Sequence, residues 1–166
     1  MYRGTVRIGV VSDTHNHMEN VSRIVELFNA ARVDRVVHTG DITQAKTLGV
    51  LAGLDAPVVG VFGNNDLERV SLETACTEFE LDFVDPPLPF EWAGRRGVVV
   101  HDPLDLEGLD LGELDVALHG HGHRQVIERR AGALVFNPGE CAGHIPGYNA
   151  VGLLDLVALH TEILYF

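Results

Sequence analysis

Short runs of apolar, mostly β-branched residues recur in the first half of the chain, separated by longer stretches with a helical rhythm. The runs are Val6–Val11, Val36–Val37 and Val58–Phe62. They do not alternate with polar residues, which is typical of strands buried on both faces of a parallel sheet. The first half therefore predicts parallel strands connected by helices.

Three stretches between and after these runs predict the helices. In Glu19–Ala31 the apolar residues fall at helical spacing, and Asn16 followed by Glu19 resembles a capping box. The second predicted helix covers Thr43–Ala52 and the third covers Leu67–Cys76.

The second half has a different rhythm, in which apolar runs follow one another over short turns. These runs are Val98–Val100, Val116–Leu118, Val126–Glu128, Ala133–Phe136, Ala150–Leu156 and Thr161–Tyr165. They predict mostly antiparallel strands, and Asp85–Pro87 predicts a loop between the halves. The pattern favours an α/β (α+β) fold with two stacked sheets flanked by helices, and residues 1–166 are expected to form one domain.

The composition supports one domain and restricts the classes of partner that the protein is expected to bind. The chain has 166 residues, 46% of them hydrophobic, which is enough to build a core. A formal charge of -12 argues against binding to a nucleic-acid backbone, because such binding needs a basic surface. No apolar stretch is long enough to cross a bilayer and no charged leader precedes the first strand, so we expect a cytoplasmic protein. Cys76 and Cys141 are too few for a disulfide framework and are expected to be buried apolar residues.

Five of the apolar runs end in polar or glycine-rich loops that carry metal-binding side chains. These side chains are Asp13, His15, Asp41, Asn64, His101, His121 and His123. In open α/β sheets the loops beyond the carboxyl ends of the strands converge on one crevice, so residues distant in sequence meet there. A shared site is therefore expected.

Each segment taken alone has a simpler interpretation. Asp13–His15 is compatible with a turn that caps a helix, Gly63–Asp66 with a tight turn, and His101 with a hydrogen-bonded histidine at a strand end. The segment His119–His123 is harder to explain in this way, because three imidazoles separated by glycines gain nothing for a core. The argument for a site therefore depends on the joint occurrence of the segments.

The types of donor favour particular metals. Carboxylate, imidazole and amide oxygen together favour Mn, Fe, Zn, Ni or Co over Ca, and the absence of a cysteine ligand argues against structural zinc. Two divalent ions would contribute +4 in charge against -2 from Asp13 and Asp41. The site would then be positive inside an acidic chain, as an anionic substrate requires.

The ordered segments resemble the calcineurin-like metallophosphoesterase superfamily, and the resemblance spans almost the whole chain. They are Asp13-Thr14-His15, Gly40-Asp41, Gly63-Asn64-Asn65-Asp66, His101 and Gly120-His121-Gly122-His123. The short length and the turn Asn137-Pro138-Gly139 further resemble the small prokaryotic branch of YfcE-like phosphodiesterases.

The resemblance implies a four-layer αββα sandwich of two mixed sheets, and a centre with two divalent ions, Mn first among the metals above. One ion would be held by Asp13, His15, Asp41 and His123, and the other by Asp41, Asn64, His101 and His121. Asp41 would bridge the ions, and a hydroxide held between them would attack the phosphorus of a small phosphoester substrate. The implied activity is that of a metal-dependent phosphodiesterase, with Asp41, His101 and Asn65 as the residues assigned to catalysis.

Several residues of this chain differ from the family pattern, and these differences affect the roles expected of them. Asn65 stands where the family usually has a histidine that protonates the leaving group, which favours diesters over demanding monoesters. Asp102 follows His101 where glycine is common, and it either orients a ligand histidine or caps a turn. Gly122 and Glu140 replace the frequent Thr and Ser of their motifs.

Other functions remain open at this point. The same fold also serves as a non-catalytic scaffold or interaction module, and the two ions would suit a phosphomonoesterase or a hydrolase of an amide or another ester. No membrane partner is expected, and a homo-oligomer is compatible with the sequence. His17 and His119 are expected to be structural histidines, and Arg124 a solvated arginine.

Overall fold

The computed structural model describes residues 5–166, which form eleven strands, three α-helices and two 3-10 helices. In chain order the strands and α-helices are β1 (Arg7–Val11), α1 (Met18–Ala31), β2 (Arg35–His38), α2 (Ala45–Leu51), β3 (Val58–Val61), α3 (Arg69–Phe79), β4 (Asp82–Val84), β5 (Leu88–Trp92), β6 (Arg95–Val99), β7 (Val116–Leu118), β8 (Val126–Arg130), β9 (Ala133–Asn137), β10 (Ala150–Asp155) and β11 (His160–Tyr165). The 3-10 helices, Pro103–Gly108 and Leu111–Glu113, lie between β6 and β7.

The first sheet has the order β11-β10-β1-β2-β3-β4. Its strands β1 to β4 are parallel, as the uninterrupted apolar runs predicted for the first three, and each of these connections contains a helix. β10 and β11 add an antiparallel hairpin beside β1. Parallel pairing brings the carboxyl ends of β1, β2 and β3 to the same edge of the sheet.

The second sheet has the order β5-β6-β7-β9-β8 and is mixed. Its outer pairs are antiparallel, as predicted, but the central strands β6, β7 and β9 are parallel to one another. The prediction of mostly antiparallel strands was therefore wrong for the centre of this sheet. The parallel centre matters for function, because it brings the loops after β6, β7 and β9 together.

The two sheets pack face to face around a core that includes Val10 and Val37 from the first sheet and Leu118 and Phe136 from the second. The helices α1, α2 and α3 contribute to two further apolar clusters with the first sheet. The outer face of the second sheet packs against Leu106 and Leu111 of the 3-10 helices. The fold is thus the expected sandwich of two mixed sheets flanked by helices, with a thin outer layer on the second sheet.

Three local features differ from the sequence-based expectations. The N-cap of α1 is His17, whose Nδ1 accepts a hydrogen bond from the Asn20 backbone N–H at 3.3 Å, so the capping box at Asn16 was wrong and the structural role of His17 is confirmed. The short strands β4 and β5 were missed. β5 contains Pro89 and lies at a sheet edge, where proline is tolerated but hides the strand pattern.

Both cysteines are buried and free, as expected. Among residues 5–166, no helix is both long enough and apolar enough to span a bilayer.

Candidate metal centre

The loops that follow β1, β2 and β3 meet the loops that follow β6 and β7 at one end of the sandwich. The backbone N–H of His121 donates to Asp13 Oδ2 at 3.0 Å, which ties the β7 loop to the β1 loop. His101 Nε2 lies 2.9 Å from Asn64 Oδ1, which joins the β6 loop to the β3 loop. The structure therefore brings all seven predicted ligand side chains together, although they come from both sheets.

Asp13, His15 and His123 form one group of potential donors. His123 Nε2 lies 3.6 Å from Asp13 Oδ1, and the donor atoms of the three residues all lie within 4.8 Å of one another. The Asp13 carboxylate is buried, while the two imidazoles are partly exposed. The carboxylate therefore lies on the buried side of the group, and solvent reaches the two imidazoles.

Asn64, His101 and His121 form a second group. His121 Nδ1 lies 3.1 Å from Asn64 Oδ1 and 3.3 Å from His101 Nε2. His101 Nδ1 lies 2.9 Å from the Thr39 carbonyl oxygen, which can only accept a hydrogen bond, so Nδ1 carries the proton. Nε2, the ring nitrogen left available to coordinate a metal, consequently faces the group.

Asp41 lies between the two groups. Its Oδ2 is 3.6 Å from His15 Nε2, and its Oδ1 is 3.5 Å from His101 Nε2. Its side chain is only 2% exposed. One carboxylate thus presents an oxygen to each group, which is the arrangement that a bridging ligand needs.

The unmet polar groups test whether a metal fits these residues. Asp13 Oδ1 and His15 Nε2 are buried and have no hydrogen-bond partner among the described residues. Such atoms are costly unless a cation or a polar partner compensates them. Clustered carboxylates, imidazoles and an amide oxygen meet this need with a divalent transition metal, so the residues fit the predicted ions.

The backbone around these ligands is unusual. Five of the seven predicted ligands, Asp13, His15, Asp41, His121 and His123, have φ between 45° and 69°, in the left-handed region. Non-glycine residues adopt this region at a cost, and such residues concentrate at functional sites. The packing of the two sheets therefore fixes an arrangement of side chains that the loops would not adopt alone.

Comparison with known proteins decides the family. A sequence profile described as the Calcineurin-like phosphoesterase superfamily domain matches residues 6–158. The chain belongs to this superfamily. It is accordingly a phosphoric ester hydrolase of a family that uses divalent metals, and the structure supplies candidate groups of metal ligands.

Similar proteins agree with this assignment. Phosphodiesterase MJ0936 of Methanocaldococcus jannaschii is 32% identical over 155 residues, which are 90% of this chain and 93% of the relative. The solved structure of an archaeal phosphodiesterase matches with a TM-score of 0.88 at 31% identity, covering 96% of this chain and 99% of the other. YfcE, a phosphoesterase from E. coli, matches with a TM-score of 0.72 at 22% identity, covering 95% and 98%, and shows the shared fold.

Asp66, which was not a predicted ligand, connects the loops after β2 and β3 in the candidate metal centre. Its carboxylate accepts hydrogen bonds from the backbone N–H groups of Asp41 at 3.0 Å and of Thr43 and Gly63 at 2.6 Å each. Burial raises the pKa of Asp66, against the opposing effect of these hydrogen bonds. In the sequence, the position of Asp66 at the end of the Gly63–Asp66 motif is the feature that could have indicated this role.

Asn65 and Asp102, the two departures, make specific contacts. Asn65 donates from its backbone N–H to Asp41 Oδ1 at 3.0 Å and from Nδ2 to Asp41 Oδ2 at 2.8 Å. Asp102 Oδ1 accepts from the Leu104 N–H at 2.9 Å and caps the first 3-10 helix. Its Oδ2 lies 3.9 Å from His121 Nε2, too far for a hydrogen bond, so the structure supports the capping alternative and leaves the orienting role a prediction.

Glu140 and His144 lie beside the centre, and sequence reasoning gave neither a role. Glu140 is 3% exposed, and its Oε1 accepts from the His144 backbone N–H at 2.7 Å and lies 3.9 Å from His123 Nδ1. The rings of His144 and His123 stack, with centroids 5.1 Å apart and planes 4° from parallel. The sequence feature that could have indicated a role is Glu140 itself, which stands where the family usually has a serine.

His38 and His119 are buried histidines with structural contacts. His38 Nδ1 accepts from the Gly40 N–H at 3.0 Å, and its Nε2 lies 3.0 Å from Thr14 Oγ1. Burial lowers the pKa of His38 to about 3, and burial also lowers the pKa of His119. Burial therefore favours the neutral form of both side chains.

We expect His38 to make the folded protein sensitive to acid. Its pKa is about 3 in the fold and about 6.5 in the unfolded chain, so the unfolded chain takes up the proton first as the pH falls. Its contribution to stability is present above pH 6.5 and decreases towards pH 3. Between pH 7 and pH 5 the free energy of unfolding should fall by about 2 kcal/mol more in the wild type than in His38→Asn. Urea unfolding of the metal-free proteins at both pH values measures this difference, and equal losses would contradict it.

Proposed function

We propose that this chain is a phosphodiesterase that works with two divalent ions. Asp13, His15, Asp41 and His123 would hold one ion, and Asp41, Asn64, His101 and His121 would hold the other. The observation that carries the proposal is the buried Asp41 carboxylate, which presents one oxygen to His15 and the other to His101. A single ion would be coordinated by only one of the two groups of donors, and the other group would bind no metal.

The protein side chains prepare the site before substrate arrives. The hydrogen bond from His101 Nδ1 to the Thr39 carbonyl fixes the ring orientation, and the Asn65 amide fixes the plane of the Asp41 carboxylate. When bound, the two ions would polarise the phosphoryl oxygens and lower the pKa of a coordinated water. Together they would also offset the charge of the two buried aspartates and attract an anion to a chain whose formal charge is -12.

The choice of a diester substrate depends on Asn65. The side-chain amide of Asn65 is too weak an acid to protonate a leaving group, and its Nδ2 already donates a hydrogen bond to Asp41. An ester with a good leaving group, such as an activated diester, makes the smallest demand for a proton donor. The relative from M. jannaschii is a phosphodiesterase, which supports the same choice.

Manganese is the metal that we propose first, with Ni, Fe, Zn and Co as alternatives that suit the same donors. A small phosphoester as substrate, a cytoplasmic location and the absence of nucleic-acid and membrane partners remain proposals of the same kind. A non-catalytic scaffold is the competing function. It is not favoured, because seven converging ligands on a strained backbone have no evident use in a scaffold.

Elemental analysis combined with a substrate panel tests the proposal. The purified protein should be stripped with chelator, reloaded with each metal in turn, and assayed for metal stoichiometry and for hydrolysis of bis(4-nitrophenyl) phosphate and 4-nitrophenyl phosphate. We expect two ions per chain and faster turnover of the diester. Fewer than two ions, or no turnover with any metal, would overturn the proposal.

Asn65→His is expected to shift activity towards monoesters. A histidine at this position supplies a proton donor, which an alkyl leaving group needs and a nitrophenyl leaving group does not. The ratio of kcat/KM for an alkyl phosphate monoester to kcat/KM for bis(4-nitrophenyl) phosphate should therefore rise by about tenfold or more. Asn65→Gln is the matched control, because it also disturbs the bonds to Asp41 but brings no acid. An unchanged ratio in Asn65→His, or an equal rise in Asn65→Gln, would contradict this explanation of the departure.

A further inference from the structure

Two cavities adjoin the candidate metal centre, one beside each group of potential donors. One has a volume of about 330 Å³ and includes His123 and Glu140 in its wall. The other has a volume of about 240 Å³ and includes Asn64 and His101 in its wall. Larger cavities, of about 450 and 570 Å³, are lined by residues of α1, α2, α3 and β11 together with Phe166, and none of the seven predicted ligands lines them, so proximity to these ligands and not size distinguishes the first two.

The cavity beside His123, which we name the His123 cavity, has mainly apolar and aromatic walls. Pro138, Ile145, Tyr148 and Tyr165 contribute to its lining. Ile145, Tyr148 and Tyr165 are 55%, 66% and 60% exposed, so three large apolar side chains face solvent around one opening. Exposed apolar side chains that gather around a cavity are typical of a site that a ligand covers.

The cavity beside His101, which we name the His101 cavity, has a different character. It includes the carboxylates of Asp85, Asp102 and Asp105 and one cation, Arg69. Arg69 is already paired with Asp85 at 2.6 Å. The excess of negative charge disfavours an anionic group there, whereas a small uncharged group would meet no such repulsion.

We propose that the His123 cavity binds a flat aromatic ester group of the substrate, while the His101 cavity receives a smaller, uncharged second group. The proposal rests on the phosphodiesterase function, because a phosphate held by both groups of donors would have one cavity beside each group. The volume of the His123 cavity is at the lower end of the roughly 300 to 1,000 Å³ of small-molecule sites, which suits one ring system. Tyr148 and Tyr165 offer ring faces and edges for stacking.

An aryl group and a nucleobase share this chemistry, and matched pairs of ligands distinguish them. Phenylphosphonate against methylphosphonate adds an aryl ring, and adenosine 5′-monophosphate against ribose 5-phosphate adds a base. Dissociation constants are measured by calorimetry on the metal-loaded protein, which does not require turnover. We expect the aromatic member of at least one pair to bind about tenfold more tightly, and the pair that responds identifies the source of the ring.

The variant Tyr148→Ala tests whether the preference for aromatic ligands arises in the His123 cavity. Because Tyr148 is largely exposed, its removal should leave the fold and the metal stoichiometry unchanged while it removes most of the aromatic preference. Val70→Ala, which removes methyl groups from a side chain that is 78% exposed on α3, is the matched control and should retain the preference. Ile145→Ala is a second variant of the cavity, with the same expected loss.

The outcomes separate this proposal from the function on which it rests. Equal binding within both pairs, or a preference that survives both Tyr148→Ala and Ile145→Ala, would overturn the aromatic subsite even if diesters are hydrolysed. A preference that depends on these two residues would support the subsite even if no tested diester is hydrolysed, in which case only the phosphodiesterase proposal would fail.

Discussion

Asp41→Asn is expected to leave a folded protein that no longer holds two ions and hydrolyses phosphodiesters about a thousandfold more slowly. The substitution keeps the shape of the side chain and one carbonyl oxygen, which can still accept the hydrogen bond from the Asn65 backbone N–H. It removes one unit of negative charge and replaces the second oxygen with an NH2 group that cannot coordinate a metal. The Asn65 side-chain amide then has to flip so that its oxygen accepts from this NH2 group. One of the two groups of donors therefore loses its shared ligand.

Thermal unfolding with and without metal separates loss of binding from loss of folding. Wild-type protein should gain in Tm when manganese is added, because a ligand that binds only the folded state stabilises it. Asp41→Asn should have a metal-free Tm close to that of the wild type and gain little from manganese. Asp55→Asn, at an exposed turn residue, is the matched control and should behave as wild type. Two bound ions and full activity in Asp41→Asn would show that Asp41 is not the shared ligand.

The family and the potential ligands could be predicted from the sequence because the evidence is local. Each ligand follows an apolar run, and in parallel sheets such positions converge. The order of the motifs restricted the family further, although no single motif would have been sufficient. The contacts of Asp41 with His15 and His101 place the predicted bridging residue between the two groups, while its metal-binding role stays a prediction.

The parts that could not be predicted depend on contacts between distant segments. The parallel centre of the second sheet was missed, because short apolar runs separated by turns do not specify the direction of pairing. Glu140 is near His123 only because β9 lies beside β7, and its burial cannot be inferred from its neighbours in sequence. The left-handed backbone of His15, His121 and His123 is likewise imposed by tertiary packing and not by local preference.

Gly120 shows how closely this packing and the metal site are coupled, and Gly120→Ala is expected to damage both. A Cβ atom at this position would collide with Ser12 Oγ and would lie 2.6 Å from Thr39 Oγ1 and 2.8 Å from Asp13 Oδ2. The backbone of Gly120 is not left-handed, so the expected effect comes from the collision alone. Relief requires the β7 loop and the β1 loop to separate, which moves Asp13 away from His123.

The expected cost of Gly120→Ala is about 1 to 3 kcal/mol in the free energy of unfolding, together with loss of tight metal binding. Gly122→Ala is the matched control in the same loop, since a Cβ there meets no atom within 4 Å among the described residues and the backbone is not left-handed. It should be neutral or slightly stabilising, because alanine reduces the freedom of the unfolded chain. Urea unfolding without metal and manganese titration of the folded proteins measure the two effects separately. If Gly120→Ala matched Gly122→Ala in both, the close approach of the β1 and β7 loops would not be what positions Asp13.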